Sequence, residues 1–309
     1  MSKRISTADL SHEDWLRLRK TGIGGSDAGA ICGLNPYVSP MGVFYEKTRE
    51  EVETYDNESM RQGRDLEEYV ARRFMEETGL KVRRSNAMYQ REEYPFMLAN
   101  VDRLISGENM GLECKTASAY NADKWTGDSV PAHYEIQCHH YMAVTGAEAW
   151  YLAVLIMGRE FKYKRIDRDE ELIQNLISIE REFWEEHVLT GNMPDPDGSD
   201  ISNEVINRYF PTAVKKSIPL PSYLNEQLKR REEINRLTKK LEQEQNQIEQ
   251  QIKIFMGEYE EAFNEHYKVS WSNVDTVRID SKRLKEERPD LYRDFAKSSQ
   301  SRRFTVKAA

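Results

Sequence analysis

Cysteine is scarce in this chain of 309 residues, with only Cys32, Cys114 and Cys138. An odd number of thiols at wide spacing supports neither a disulfide framework nor a four-cysteine zinc or iron–sulfur site, so reduced thiols are expected. No run of about 18 apolar residues is available to cross a bilayer. The opening Met1-Ser2-Lys3-Arg4-Ile5-Ser6 has none of the apolar stretch of a secretory leader. A cytoplasmic protein with no membrane partner is the expectation. Basic excess is missing as well: 45 Lys and Arg face 53 Asp and Glu, for a net charge of −8. That balance argues against a general coater of nucleic acid, which needs clustered cations. It leaves room for an enzyme that gathers carboxylates around metal ions and offers phosphates a local basic groove.

The length suits one α/β domain of about 100 to 200 residues plus an appendage, or two modest domains. Ser11 caps a helical run through Trp15, Leu16 and Leu18, with Asp14 three residues on. The glycine-rich turn Gly22-Ile23-Gly24-Gly25-Ser26-Asp27 leads into a short helix at Ser26, whose side chain and first amides form a small anion site. Ser39-Pro40 reads as a third helix start. From Met60 to Thr78 the apolar positions Leu66, Val70 and Phe74 recur at helical spacing, and Gly79 supplies the stop.

Extended segments are predicted over residues 80–90, 97–105 and 110–116, the last two joined through Ser106-Gly107-Glu108-Asn109. A helix over 132–144 precedes the apolar strand 149–156. A further strand, 161–166, and a long helix up to Gly191 follow. At Pro194-Asp195-Pro196-Asp197-Gly198-Ser199-Asp200 the composition shifts to turn formers, which places a boundary between a domain at 1–195 and an accessory region at 196–309. In that region Ile234, Leu237, Leu241, Ile248 and Phe255 follow three-four spacing, the mark of a long helix, a helical hairpin or a short coiled coil. Residues 268–279 and 303–307 read as strands around a charged helix, 282–296, broken at Pro289.

One constellation carries chemistry. Asp102 is expected in a strand that turns back into Leu112-Glu113-Cys114-Lys115. Strand alternation puts Glu113 and Lys115 on one face, with Asp102 on the neighbouring strand. Two carboxylates and an ammonium would converge there. Hard oxygen ligands suit magnesium or manganese, and the ammonium can orient or help deprotonate a water while offsetting negative charge. Alone, an Asp followed at a distance by Glu-x-Lys equally describes a salt-bridged surface hairpin.

The surrounding blocks occur in a fixed order: Arg19-Lys20-Thr21-Gly22-Ile23-Gly24-Gly25-Ser26, then Gly63-Arg64-Asp65-Leu66-Glu67, then Asp102 with Leu112-Glu113-Cys114-Lys115, then Ile136-Gln137 through Ala149-Trp150-Tyr151. From about Trp15 to His187 the chain resembles the YqaJ and lambda-exonuclease family of phage recombination nucleases, within the PD-(D/E)XK superfamily. Asn35-Pro36-Tyr37 resembles the YqaJ branch. The resemblance implies a central mixed β-sheet flanked by helices, here with a mainly helical C-terminal appendage.

By the same resemblance Glu67, Asp102 and Glu113 are metal ligands, with the Cys114 main-chain carbonyl completing one coordination sphere. Lys115 is the catalytic lysine, and Gln137 positions the water or the lysine. Arg19 and Ser26 hold the 5′-terminal phosphate of a DNA strand. Considered alone, Arg19 also fits a solvated helix residue, and Ser26 an ordinary cap. Magnesium is the implied cofactor, as two ions, with manganese as a substitute. The implied activity is 5′-to-3′ digestion of duplex DNA ends by a homo-oligomeric ring, commonly a trimer. It would leave 3′ overhangs for a single-strand annealing protein of RecT or Redβ type. The implied setting is a bacterial cell, with a phage or prophage gene.

Competing signals are weaker. The Gly22-Ile23-Gly24-Gly25 turn follows a charged helical segment rather than an apolar strand, so the context of a dinucleotide loop is missing. His133, His139 and His140 share a helix without a matching zinc ligand set. The C-terminal Lys and Arg residues, with Tyr292, Arg302 and Arg303, fit a solvated or packing element and a duplex-holding one equally. Two other functions remain in view: an endonuclease or repair nuclease on the same scaffold, and a non-catalytic module binding DNA ends or a protein.

Overall fold

The computed structural model describes residues 2–51, 57–127, 129–297 and 301–307. The chain divides into two compact units, Met1–Pro211 and Thr212–Ala309. The first opens with β1 (Ser2–Ser6), α1 (His12–Lys20), α2 (Gly25–Ile31), α3 (Pro40–Thr48) and α4 (Glu58–Thr78). Strands β2 (Val82–Arg84), β3 (Ala87–Arg91), β4 (Leu98–Asn100), β5 (Arg103–Ile105) and β6 (Met110–Ala117) come next. A 3-10 turn, Ala119–Trp125, leads into α5 (Ala132–Thr145), β7 (Ala149–Ile156) and β8 (Glu160–Asp167). The unit ends with α6 (Glu170–Phe183), prolonged by a π-type turn at Trp184–Val188, and α7 (Asp200–Tyr209).

Local chemistry explains the helix ends. Ser11, Ser39 and Asn57 each accept a backbone amide three residues on, at 3.1, 3.2 and 2.9 Å, which satisfies donors that a helix start leaves orphaned. Gly79 ends α4 in the left-handed conformation, φ 73°. The helix expected at Ser26 begins one residue earlier. Gly24 is its N-cap, and the Asp27 carboxylate reaches back to the Gly24 amide at 2.9 Å, so Ser26 is not the cap.

The main sheet has the order β2-β5-β6-β7-β8, with β6 and β7 parallel and the other pairs antiparallel. Parallel neighbours need a crossover, and α5 supplies it. A smaller antiparallel sheet, β1-β3-β4, stands apart. The three extended segments read from the sequence therefore become five strands in two sheets. Asp102 lies not within a strand but at the bend between β4 and β5, where the chain leaves one sheet for the other. Strand β1, which the sequence did not signal, pairs with β3 from Ser2↔Arg91 to Ser6↔Ala87.

The sheet is covered on both faces. Val70, Ala71 and Phe74 of α4 pack on Ile105, Leu112 and Ala153. Cys138, Tyr141 and Met142 of α5 pack with Trp150, Leu152, Val154 and Ile156. The mixed sheet flanked by helices is thus present as expected. Helix α7 adds Val205 to Met41 and Tyr45 of α3. That packing moves the boundary to 211/212 from the expected 195/196: the turn formers at 194–200 interrupt a unit that continues past them.

The second unit holds α8 (Leu224–Met256), the hairpin of β9 (Glu261–Phe263) and β10 (Lys268–Ser270), then α9 (Ser281–Glu287) and α10 (Pro289–Phe295). Helix α8 is continuous for 33 residues, which decides against the hairpin reading. Its apolar stripe is exposed, from Ile234 at 47% to Phe255 at 82%. The strand expected over 268–279 is three residues long, and residues 303–307 form none. Pro289 separates α9 from α10 as expected. Among the described residues no helix is long and apolar enough to cross a membrane.

Candidate active site

Strand β6 sets the site. Its register pairs Glu113 with Leu152 and Lys115 with Val154 on β7. These are residues of the α5-side core, so Glu113 and Lys115 share that face as the alternation predicts. Leu112 belongs to the α4-side core and Cys114 packs against it.

Glu113 is 3% exposed. Its Oε1 is 2.6 Å from Lys115 Nζ and accepts from Gln137 Nε2 at 2.7 Å. The same Gln137 nitrogen donates to the Tyr141 hydroxyl at 2.7 Å, so both of its protons are used. Glu113 Oε2 is buried and has no hydrogen-bond partner among the described residues. Asp102 Oδ2 accepts the Cys114 backbone amide at 2.8 Å, which ties the bend between sheets to the centre of β6. Burial, then the charges of Glu113 and Glu67, push the Asp102 carboxyl well above its ordinary range despite Lys115 and the Cys114 amide. Two carboxylates whose charges repel, with Glu113 buried, call for a proton or a cation near them. An unpartnered buried carboxylate oxygen beside a second carboxylate suits a hard divalent ion.

Lys115 remains an ammonium. Burial works against its charge, but Glu113 and, more weakly, Tyr134 and Asp102 raise its pKa above the usual lysine value. Its Nζ lies 4.7 Å from the centre of the Tyr134 ring, a cation–π contact.

Glu67 sits differently. Its carboxylate is bonded to Arg103, which also reaches Glu68 at 3.1 Å, while Arg84 reaches Glu68 at 2.7 Å. Among the described residues no three His, Cys, Asp or Glu side chains gather closely enough to hold a metal. The geometry joins Asp102, Glu113, Lys115 and Gln137 into one group and leaves Glu67 on its rim, held by an arginine.

Arg19 and Ser26 come together as expected: Arg19 donates to Ser26 Oγ at 3.4 Å. With Trp15, Gly24, Gly25, Asn100 and Tyr141 they line a pocket of about 180 Å³ whose wall includes Asp102. A larger open cleft of about 940 Å³ adjoins it, lined by Arg19, Arg64, Glu67, Arg84, Asp102 and Arg103. A basic groove thus lies beside the acidic centre, in a chain whose overall charge is negative.

Close packing links the two halves of the site. A methyl on Gly25 would stand 2.5 Å from the Tyr141 ring and 3.0 Å from Gln137 Cγ, so α2 and α5 meet at this distance only with glycine. Sequence reading missed Arg103, Tyr134, Tyr141, Asp27 and Lys47. The spacing of Tyr134, Gln137 and Tyr141 along one helix face was a usable signal. The role of Arg103, next to Asp102, required the position of α4. His139 and His140 are buried, and His140 bonds to Glu180 at 2.7 Å and to the Leu98 carbonyl at 2.9 Å, so it is spoken for inside the core.

The mixed α/β fold agrees with what the chain is similar to. A solved structure of an alkaline exonuclease from Laribacter hongkongensis, LHK-Exo, superposes with a TM-score of 0.51 at 18% identity, covering 58% of this chain and 94% of that one. Its complex with dAMP matches at 0.51 and 19% identity, covering 64% and 97%. At that identity the likeness is one of fold. Residues 14–148 match the model of the YqaJ-like viral recombinase domain. The protein called YqaJ of Bacillus subtilis (strain 168), itself uncharacterised, is 40% identical over 304 residues, 97% of this chain and 95% of that protein. On this similarity along nearly its whole length, the chain belongs to the YqaJ-like viral recombinase family.

Proposed function

We propose that this protein is a divalent-metal-dependent deoxyribonuclease that digests duplex DNA from its ends, 5′ to 3′, leaving 3′ single-stranded tails for recombination. The observation that carries the reading is the pairing of two pockets. A carboxylate pair, Glu113 buried with an Oε2 that has no partner among the described residues and Asp102 half-buried, stands beside the recess of Arg19 and Ser26, whose wall includes Asp102. A terminal 5′-phosphate in that recess would set the next phosphodiester against Asp102 and Glu113. The LHK-Exo complex with dAMP holds a nucleoside monophosphate, the product class of this reaction.

Asp102, Glu113 and the Cys114 carbonyl are the groups that would hold magnesium, or manganese in its place, with Glu67 joining from Arg103, and two ions would be bound in all. The metal supplies charge neutralisation and polarisation of the scissile phosphate. Lys115 enters as an ammonium that orients the attacking water and offsets the phosphate charge. Gln137, fixed by Tyr141, keeps Glu113 and Lys115 in place. A ring of subunits would let an acidic chain stay on its substrate without tight binding, and an annealing protein of RecT or Redβ type would take up the 3′ tails.

Digestion of end-labelled linear duplex beside covalently closed circles tests this function. Early release of 5′ label as mononucleotide with intact circles is expected. Nicked circles would favour the endonuclease reading, and early 3′ label would reverse the polarity.

A further inference from the structure

Helix α3 carries a charge where its packing calls for an apolar residue. Met41, Val43, Phe44 and Tyr45 are buried along it, and Lys47 is buried with them, its side chain 0% exposed. The Lys47 ammonium lies 2.7 Å from Asp27 Oδ2, donates to the Arg19 carbonyl at 3.2 Å and has Glu46 Oε1 at 3.5 Å. That carbonyl belongs to the last turn of α1, whose oxygens have no partner within the helix. Asp27 is itself buried, holds the Gly24 amide through Oδ2 and stands 3.8 Å from the Arg19 guanidinium through Oδ1. Burial pushes the Asp27 carboxyl up, but Lys47 first and Arg19 second hold it below the usual carboxylate value. One carboxylate therefore sits between two cations, and the closer position belongs to Lys47. Arg19, stacked 5.2 Å over Trp15, is held near Asp27 without being consumed by it, and reaches Ser26.

Stability alone does not call for this arrangement. Replacing a buried ion cluster by apolar side chains of similar size is often neutral or favourable. We infer that Lys47 and Asp27 are positioning residues for the end-phosphate pocket: Lys47 occupies the Asp27 carboxylate so that the Arg19 guanidinium stays open to a 5′-phosphate. The preference for phosphorylated ends then depends on a lysine that never touches DNA. This rests on the reading of Arg19 and Ser26 as that pocket.

The test compares digestion of 5′-phosphorylated and 5′-hydroxyl duplexes by the full chain. Their rate ratio is independent of the fraction of protein that folds. Lys47→Met keeps the buried volume but leaves Arg19, among the described residues, as the one Lys or Arg within 4 Å of the Asp27 carboxylate. The ratio is expected to fall about tenfold, the loss of one charge-assisted hydrogen bond, through a raised KM for phosphorylated ends. The rate on hydroxyl ends should stay within about twofold. Adding Asp27→Asn removes the competing carboxylate, and the double variant should recover part of the ratio. Equal loss on both ends, or a double variant no better than Lys47→Met, would overturn the inference by making Lys47 structural only. Arg19→Ala separates the two levels. If it abolishes the preference while Lys47→Met does not, only the positioning role fails; if it leaves the preference intact, the pocket fails with it.

Discussion

The two units handle the same composition in opposite ways. The first buries charge deliberately: Asp27, Lys47, Arg103, Glu113, His140 and Glu180 are all enclosed, and most are bonded to an opposite charge. The second encloses almost nothing. Among its described residues Met256 is the sole buried apolar side chain, while Ile234, Leu237, Leu241, Ile254 and Phe255 stand exposed along α8. Charge follows the same division. Residues 1–211 hold 25 Lys and Arg against 37 Asp and Glu, and residues 212–309 hold 20 against 16, so the acidity of the chain belongs to the unit with the site. Buried, paired charge is where chemistry is sought first, whereas uncovered apolar surface is where a contact would form. The Bacillus subtilis relative matches across both units, so the pairing of the two is shared with it.

The sharpest way to break this contrast is to remove a site carboxylate. Glu113→Gln is expected to lower the single-turnover digestion rate by about a thousandfold or more, as is magnesium removal by chelator. Leu241→Glu on α8 should leave that rate within about twofold. Comparable losses from both substitutions would end the division of labour. Deleting residues 212–309 comes next. Unit one has its own core, so its melting point should move by less than about 5 °C; loss of a cooperative melt would show that the units are interdependent.

Gly25→Ala probes the close approach of α2 and α5. Overpacking there should cost about 1–3 kcal/mol and lower the melting point by about 2–4 °C per kcal/mol, with digestion falling as Gln137 is displaced. An unchanged melt and rate would show that the two helices have room to spare. The smallest effect concerns His140. Burial opposes its charge, but Glu180 by charge and hydrogen bond, with the Leu98 carbonyl, raises its pKa above 6.5. A raised folded-state pKa gives stability that is full below about pH 6.5 and lost as pH rises through the folded value. The melting point should therefore decline by a few degrees above about pH 6.5, and His140→Gln should flatten that decline. A variant with the same slope would assign the pH dependence to other groups.

Much of the first unit was legible because its signals are periodic. The α4 pattern at Leu66, Val70 and Phe74, the alternation through Glu113 and Lys115 and the apolar run of β7 each have one sensible reading. What escaped depends on tertiary contact. Asp102 was expected in a strand, but a carboxyl that bonds the Cys114 amide closes the bend between two sheets. For Glu67, expected at the metal, the sequence did not signal the ion pair with Arg103, 36 residues away. The boundary was set at a composition change, yet Val205 of α7 packs back on α3. In the second unit three-four spacing predicted the α8 helix and could not say what covers it. Strand signals at 303–307 met no partner, because β-propensity is realised only through pairing.

The proposed reaction requires Asp102 and Glu113 to share one divalent ion. Titration of the protein with manganese, followed by calorimetry without DNA, tests this most directly. Wild type should bind the ion, while Asp102→Asn and Glu113→Gln each lose that binding with their melting points retained. Manganese binding equal to wild type in both variants would contradict the claim.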